Sequence, residues 1–394
     1  MTSQVGITNH SGVAVASDTV ITAFVDGGTK SIGSSHKILE LGPEHKVLVL
    51  LSGAITTNGV TNRLYVTEWA STLEAPFATL EEYVESFANW MGTDSTIHSF
   101  DSEINRANYL LNDHFYEIKY RAKARWDELD EESKQYSSQA EILISVAQEG
   151  YEYLSSLDFV PGVDTDEYFN SFLESEQFDL NGKLEFYFKD LDLSPTAESI
   201  LMNSCPLILA RQQFFDGGSS MAFIGFGASE FFAGNMRLRV RGFYGGKFVY
   251  SLNEYIAVSP DMASLISPFA QDQAIFGFLQ GFRFAVLDHM EYLIESHVND
   301  AIENNEGENI GREIASKVRD GVFDHFRRKI TDPLLDSIEG LDLFHLANLA
   351  ESLVGMEATS SFGADGPATV GGMIEVATID RQNGVTWVRK LQDF

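Results

Sequence analysis

The stretch KVLVLLSGA, from Lys46 to Ala54, constrains the fold of this chain more than any other. Its five consecutive apolar residues, Val47 to Leu51, place apolar side chains on both faces of an extended segment, so the strand they form must be covered on both sides. KILEL precedes it across GPEH, a glycine–proline turn signal, and the two segments read as a hairpin. Closer to the start, QVGIT and GVAVAS flank NHSG and read as another hairpin. Residues 1–55 therefore read as strands.

Residues 56–218 change character. LEEYVESFANWM, INRANYLLNDHFYEIKYRAKARWDELDEE and AEILISVAQEGYEYLSSL carry apolar residues at helical spacing with few glycines. From 219 to 394 the strand signals return in MAFIGFG, MRLRVRGFY and KFVYSLNEYIAV. Two or more helices follow, from MASLISPFAQDQAIFGFLQGF to DLFHLANLAESLVGM, and GGMIEVATID with GVTWVRK closes the chain as a hairpin around RQNG. This order predicts an α+β fold, helices packed on sheets, with residues 1–55 and 219–394 forming the core and 56–218 inserted as a helical region.

Charge excludes whole classes of partner. The 394 residues include 58 acidic against 27 basic ones, a net charge of -31, which repels nucleic-acid phosphates and anionic lipid. An apolar content of 44% is enough for a substantial core. No run approaches the roughly 18 apolar residues of a membrane span. Nor does the N-terminus carry a basic, then apolar, signal pattern. The lone Cys205 sits in apolar MNSCPLIL and reads as a core thiol. A cytoplasmic protein is the expectation.

Several chemistries lack their residues. His114 lies among carboxylates spaced for surface ion pairs rather than for a metal, His36 reads as a packed or solvated histidine, and the glycines of FYGGK and GFGASEFFAG fit no phosphate-binding loop. No G-x-S-x-G elbow is present. No cofactor and no metal are expected. Thr2 offers a different chemistry. Methionine is trimmed before a small residue, which leaves Thr2 with a hydroxyl nucleophile and a free α-amino group as its base. Such an amine titrates at roughly 7.7–8.0, against about 10.4 for a lysine. With only Met1 ahead of it, Thr2 needs no self-cleaved propeptide in this reading, and the neighbouring Ser3, with no base of its own, reads as a bystander.

In GVAVASD, Asp18 stands sixteen residues after Thr2; TVIT holds Thr22, SSHKILEL holds Lys37, and VLLSGAI holds Gly53. In this order the motifs resemble the proteasome β-subunit and HslV group of N-terminal-nucleophile (Ntn) hydrolases. AFIGFG and the closing VGGMIEVATID add to the likeness. PFAQ (268–271) and VGG (370–372) are similar to motifs of proteasome-like bacterial and archaeal proteins of about this length. The resemblance spans 1–60 and 220–394 and leaves out the helical region, 56–218, which on this likeness includes the family's first helices. It implies an αββα sandwich, two antiparallel sheets between helix layers, and hydrolysis of peptide or other amide bonds by Thr2. It also implies that Asp18 holds a buried, charged Lys37 beside Thr2, that the Gly53 N–H forms the oxyanion hole, and that Thr22 lines the substrate channel. Homo-oligomers such as rings or sandwiched dimers are the implied assembly.

The chain departs from the family at three positions. Phe226 in GFG and Val370 stand where the family has serines, and the family's second aspartate falls near Pro367, with Asp365 two residues away as a substitute through a shifted loop. A non-catalytic scaffold with the same fold is therefore the alternative, and the helical region reads either as a lid over the site or as a block to ring contacts.

Overall fold

In the computed structural model, which describes residues 2–25, 28–93, 98–175, 177–191, 193–212, 218–301, 307–362 and 370–392, the doubly apolar strand lies between two apolar layers. The chain opens with β1 (Gln4–Asn9), β2 (Gly12–Asp18), β3 (Val20–Val25), β4 (Gly28–Ser34), β5 (Ile38–Glu40) and β6 (Lys46–Gly53), then the short β7 (Thr56–Thr57) and β8 (Val60–Thr61). Helices α1 (Asn62–Ser71), α2 (Leu80–Thr93), α3 (Phe100–Glu128), α4 (Glu131–Tyr136), α5 (Gln139–Ser156), α6 (Asn170–Leu173), α7 (Leu180–Phe188) and α8 (Pro195–Ala210) follow. Strands resume as β9 (Ser219–Phe226), β10 (Gly234–Tyr244), β11 (Lys247–Leu252), β12 (Ile256–Ala257) and β13 (Ser264–Pro268). The last part holds α9 (Gln273–Gln280), α10 (Phe284–Ala301), α11 (Gly307–Phe326), α12 (Asp332–Glu339) and α13 (Leu343–Phe362), then β14 (Ile374–Asp380) and β15 (Gly384–Arg389).

The fold is mixed α and β with antiparallel sheets. One sheet runs β13-β1-β2-β14-β15 and the other β11-β10-β9-β6-β5, antiparallel at every pairing. Side chains alternate across each strand, so β6 divides its apolar run. Leu48 and Leu50 join Val13, Val15, Ile224 and Ile379 in a core between the two sheets. Val47 and Val49 face the other way, against Tyr65 and Trp69 of α1 and Phe87 of α2. On the far side of the first sheet, Val5, Ile7 and Ala16 pack on Ile275 of α9, Ile338 of α12 and Val354 of α13.

One reading of the sequence is corrected here. Residues 262–268 are not helical: SLISP forms the edge strand β13 on β1, in register from Val5 opposite Pro268 to Asn9 opposite Ser264. An edge strand tolerates the proline, which has no N–H to give to the ladder. The helical region also divides. α1 and α2 belong to the sheet-covering layer, whereas α3, α5 and α8 bury Leu110, Phe115, Val146, Leu201 and Ile208 in a core of their own, joined to the second sheet through Tyr244 and Val249. Local signals set these helices: Ser138 and Glu141 form a reciprocal capping box at α5, and Ser194 caps α8 ahead of Pro195. Among the described residues no helix is long and apolar enough to cross a membrane.

His114 on α3 supplies a pH test of that helical core. It is buried, and its Nε2 has no hydrogen-bond partner among the described residues. Burial pushes its imidazole down to about 4, with the Arg121 charge acting the same way. The unfolded chain takes up this proton near pH 6.5 while the folded chain does not, so stability falls as pH drops from about 6.5 to about 4. Urea unfolding across that window should show a loss of roughly 2–3 kcal/mol that His114→Leu removes. An unchanged pH slope in the variant would refute this.

Candidate active site

The first residues of the described chain are held from two sides. The Thr2 carbonyl accepts from Gln271 N–H at 2.8 Å and the Gln4 carbonyl from Phe269 N–H at 2.9 Å, so PFAQ lies alongside the N-terminal strand. On the other side, Ser3 N–H donates to Asp18 Oδ1 at 3.0 Å and Asp18 N–H to the Ser3 carbonyl at 3.1 Å. Thr2 itself is buried, as is Ser3, whose hydroxyl has no partner among the described residues. Met1 lies outside them.

Asp18 ends β2 and is fully buried. Lys37 Nζ donates to its Oδ1 at 2.7 Å, and Gly371 N–H reaches its Oδ2 at 3.3 Å. Residues 18, 37 and 371 are thus brought to one point, the last of them from the VGG motif. Burial lowers the pKa of Lys37, while the charges of Asp18 and Glu375 pull it back up. Val370 is buried next to this contact. Asp365 and Pro367 lie outside the described residues.

Thr2, Lys37 and Gly53 line one cavity of about 270 Å³, together with Ile21, His36 and Leu51. Thr2 and Gly53 also line a second, larger one of about 610 Å³. Gly53 closes β6 at φ +76°, where a side chain is strained, and a Cβ there would stand 2.2 Å from the Gly218 carbonyl oxygen. Thr22 lies on β3 opposite Ser31, past a bulge that separates it from Ile21, and it is Ile21 that lines the cavity.

Phe226 is placed away from this site. It pairs with Lys46 at the start of β6, whereas Gly53 at the end of β6 pairs with Ser219. β9 therefore meets Thr2 through its first residues, and Phe226 belongs to the core between the sheets. A motif comparison places a residue along a strand but not which end of that strand faces a site.

Glu375 is the residue that the sequence reading missed. It is fully buried; it stands 2.6 Å from His36 Nδ1 and accepts from the backbone N–H groups of Lys37 at 3.3 Å and Leu391 at 3.2 Å. A carboxylate in the middle of apolar GGMIEVATID was the available signal, because a charge buried in a core strand requires partners. His36 is likewise buried, with its ring turned to that carboxylate rather than solvated.

Among the described residues no group of three or more His, Cys, Asp and Glu side chains is placed to hold a metal ion. What the geometry brings together is a threonine hydroxyl, an ammonium with a buried counter-charge, and a strand-ending glycine around a shared cavity. No protein-family model matches this chain, and no curated protein matches its sequence.

Proposed function

We propose that this chain is a threonine-type Ntn hydrolase that cleaves peptide or other amide bonds through Thr2. The observation that carries the reading is the shared cavity of Thr2, Gly53 and Lys37, with Lys37 held at 2.7 Å by Asp18. Two antiparallel sheets, packed face to face with helices on their outer faces, support the αββα reading of the fold.

In this mechanism removal of Met1 frees the α-amino group of Thr2, which accepts the hydroxyl proton as Oγ attacks the carbonyl carbon. The Lys37 ammonium favours the alkoxide that develops, and the Gly53 N–H donates to the tetrahedral oxygen. Collapse of the intermediate breaks the C–N bond, and the proton passes from the α-amino group to the leaving amine. Water, deprotonated by the same amine, then hydrolyses the acyl-threonine ester and restores the enzyme. Asp18 acts through Lys37 and is a positioning residue, as is Glu375 through the Lys37 backbone.

Intact mass before and after an epoxyketone tests the reading, because this electrophile needs both the hydroxyl and the free amine of one residue. The expected result is loss of Met1 and a single adduct on Thr2, absent in Thr2→Ala. Retained methionine, or no adduct on a trimmed chain, would overturn it and favour the scaffold.

A further inference from the structure

Helix α9 is capped by a residue from another helix. Asp272 stands at its N-cap position, where an aspartate ordinarily accepts the N–H of the second or third helical residue, yet its side chain makes no such bond. Glu357 of α13 takes both donors instead: its Oε2 accepts from Ala274 N–H at 2.8 Å and from Ile275 N–H at 3.3 Å. Those two bonds account for Glu357, a buried carboxylate that needs partners. They leave Asp272 without its usual task. Displaced from the cap, it lines the cavity of about 610 Å³ together with Thr2 and Gly53.

The backbone ties Asp272 to the nucleophile. Gln271 N–H donates to the Thr2 carbonyl at 2.8 Å, so Asp272 is the next residue after the bond that holds Thr2. It is half-buried, and two charges act on it, the Glu357 carboxylate from α13 and the Arg237 guanidinium from β10. Arg237 is itself engaged, donating to the Pro268 carbonyl at 2.8 Å with its guanidinium 5.4 Å from the centre of the Phe269 ring. Burial raises the pKa of Asp272, the Glu357 charge adds to it, and Arg237 opposes both with a smaller pull. A carboxyl shifted upward, in a cavity that also holds a nucleophile, suits proton transfer, because its hold on a proton moves towards that of the amine beside it.

We infer that Asp272 is a catalytic residue of the Thr2 site, the relay that carries a proton from the Thr2 α-amino group to the leaving nitrogen. The role rests on the hydrolase reading. The hydroxyl proton goes to the α-amino group as Oγ bonds to the carbonyl carbon. The ammonium then gives a proton to the Asp272 carboxylate, and the carboxyl gives it to the nitrogen as the C–N bond breaks. Carboxylate and free amine are both restored, and the acyl-threonine ester remains for water. An amide needs this relay, because its nitrogen leaves only with a proton. A nitrophenyl ester does not, because nitrophenolate leaves without one. An epoxyketone has no leaving nitrogen at all.

Leaving-group dependence tests the relay on the full chain. The probes are a peptidyl aminomethylcoumarin amide, the 4-nitrophenyl ester of the same acyl group, and the epoxyketone, with the acyl group chosen by screening the wild type. Asp272→Asn should lose about a hundredfold or more in kcat on the amide. It should hydrolyse the ester as the wild type does and still form the adduct on Thr2. Asp272→Gly, which also keeps a favoured N-cap residue, should behave the same way and serves if Asp272→Asn does not fold. Equal losses on amide and ester would make Asp272 a structural residue and overturn the relay, as would unchanged amide turnover. A wild type that hydrolyses the ester but no amide would overturn it too. All three outcomes leave the hydrolase reading standing where the wild type forms the adduct. A wild type that forms none removes that reading and the relay with it.

Discussion

On the proposed hydrolase reading, Lys37→Met should abolish hydrolysis and lower stability by about 3 kcal/mol, the low end of the range for removing one member of a buried ion pair. Methionine keeps the length and apolar stem of the lysine, so the change isolates the charge. The fully buried Asp18 carboxylate would lose the ammonium at 2.7 Å and keep the N–H groups of Ser3 and Gly371. Those two bonds are the reason for the low end. Thr2 would lose the positive charge that favours its alkoxide, and epoxyketone adduct formation should cease.

The double variant Asp18→Asn/Lys37→Met separates the two losses. Burial lowers the pKa of Lys37 even though Asp18 and Glu375 both favour its charged form. The folded state therefore holds the ammonium at a net cost relative to water, and removing both charges should restore most of the stability lost on removing one. Activity should stay absent. Urea unfolding and the adduct assay together read this cycle. A double variant as unstable as Lys37→Met would show that the pair is a structural element first, and hydrolysis by folded Lys37→Met would remove the mechanism.

The sequence exposes strands through their period and hides what they face. Val47 to Leu51 announced a strand covered on both sides, because no other placement buries both sets of side chains. The closing hairpin was equally legible from RQNG between two apolar runs. SLISP was not, since five residues beside an apolar helix carry no period that separates strand from helix. The site followed the same rule. Asp18 and Lys37 could be named from their order in the chain, yet the 2.7 Å contact depends on how β2 and the Lys37 segment pack. Glu375 was missed although it is a charge in an apolar strand, and its partner His36 is 339 positions away. In MRLRVR the alternating arginines look like the exposed face of a strand. Only the register with Ser220 and Ser251 turns that face into the floor of a cavity at Thr2.

Gly53→Ala should unfold more readily than a glycine-to-alanine change at an open turn of the same φ, and on the hydrolase reading should lose hydrolysis with it. Two effects combine at this residue. Its φ of +76° costs an L-residue about 1–2 kcal/mol, and the new Cβ would stand 2.2 Å from the Gly218 carbonyl oxygen, which is backbone and cannot rotate away. Relief requires the ends of β6 and β9 to part. That same carbonyl accepts the Ala54 N–H at 3.0 Å, so parting the strands breaks the bond that closes the ladder beside Thr2. Gly246→Ala isolates the first effect: its φ is +70° and nothing lies within 4 Å of a Cβ built there. Thermal unfolding of the two variants should differ by the collision alone, with Gly246→Ala down by the dihedral cost and fully able to form the epoxyketone adduct. Gly53→Ala should lose a further 2 kcal/mol or so, of the order seen when overpacking displaces backbone, and form no adduct. Equal destabilisation of the two would mean that the β6–β9 ends yield without cost. The wall that Gly53 provides for Thr2 would then be a soft one, poorly suited to holding an N–H donor against a developing charge.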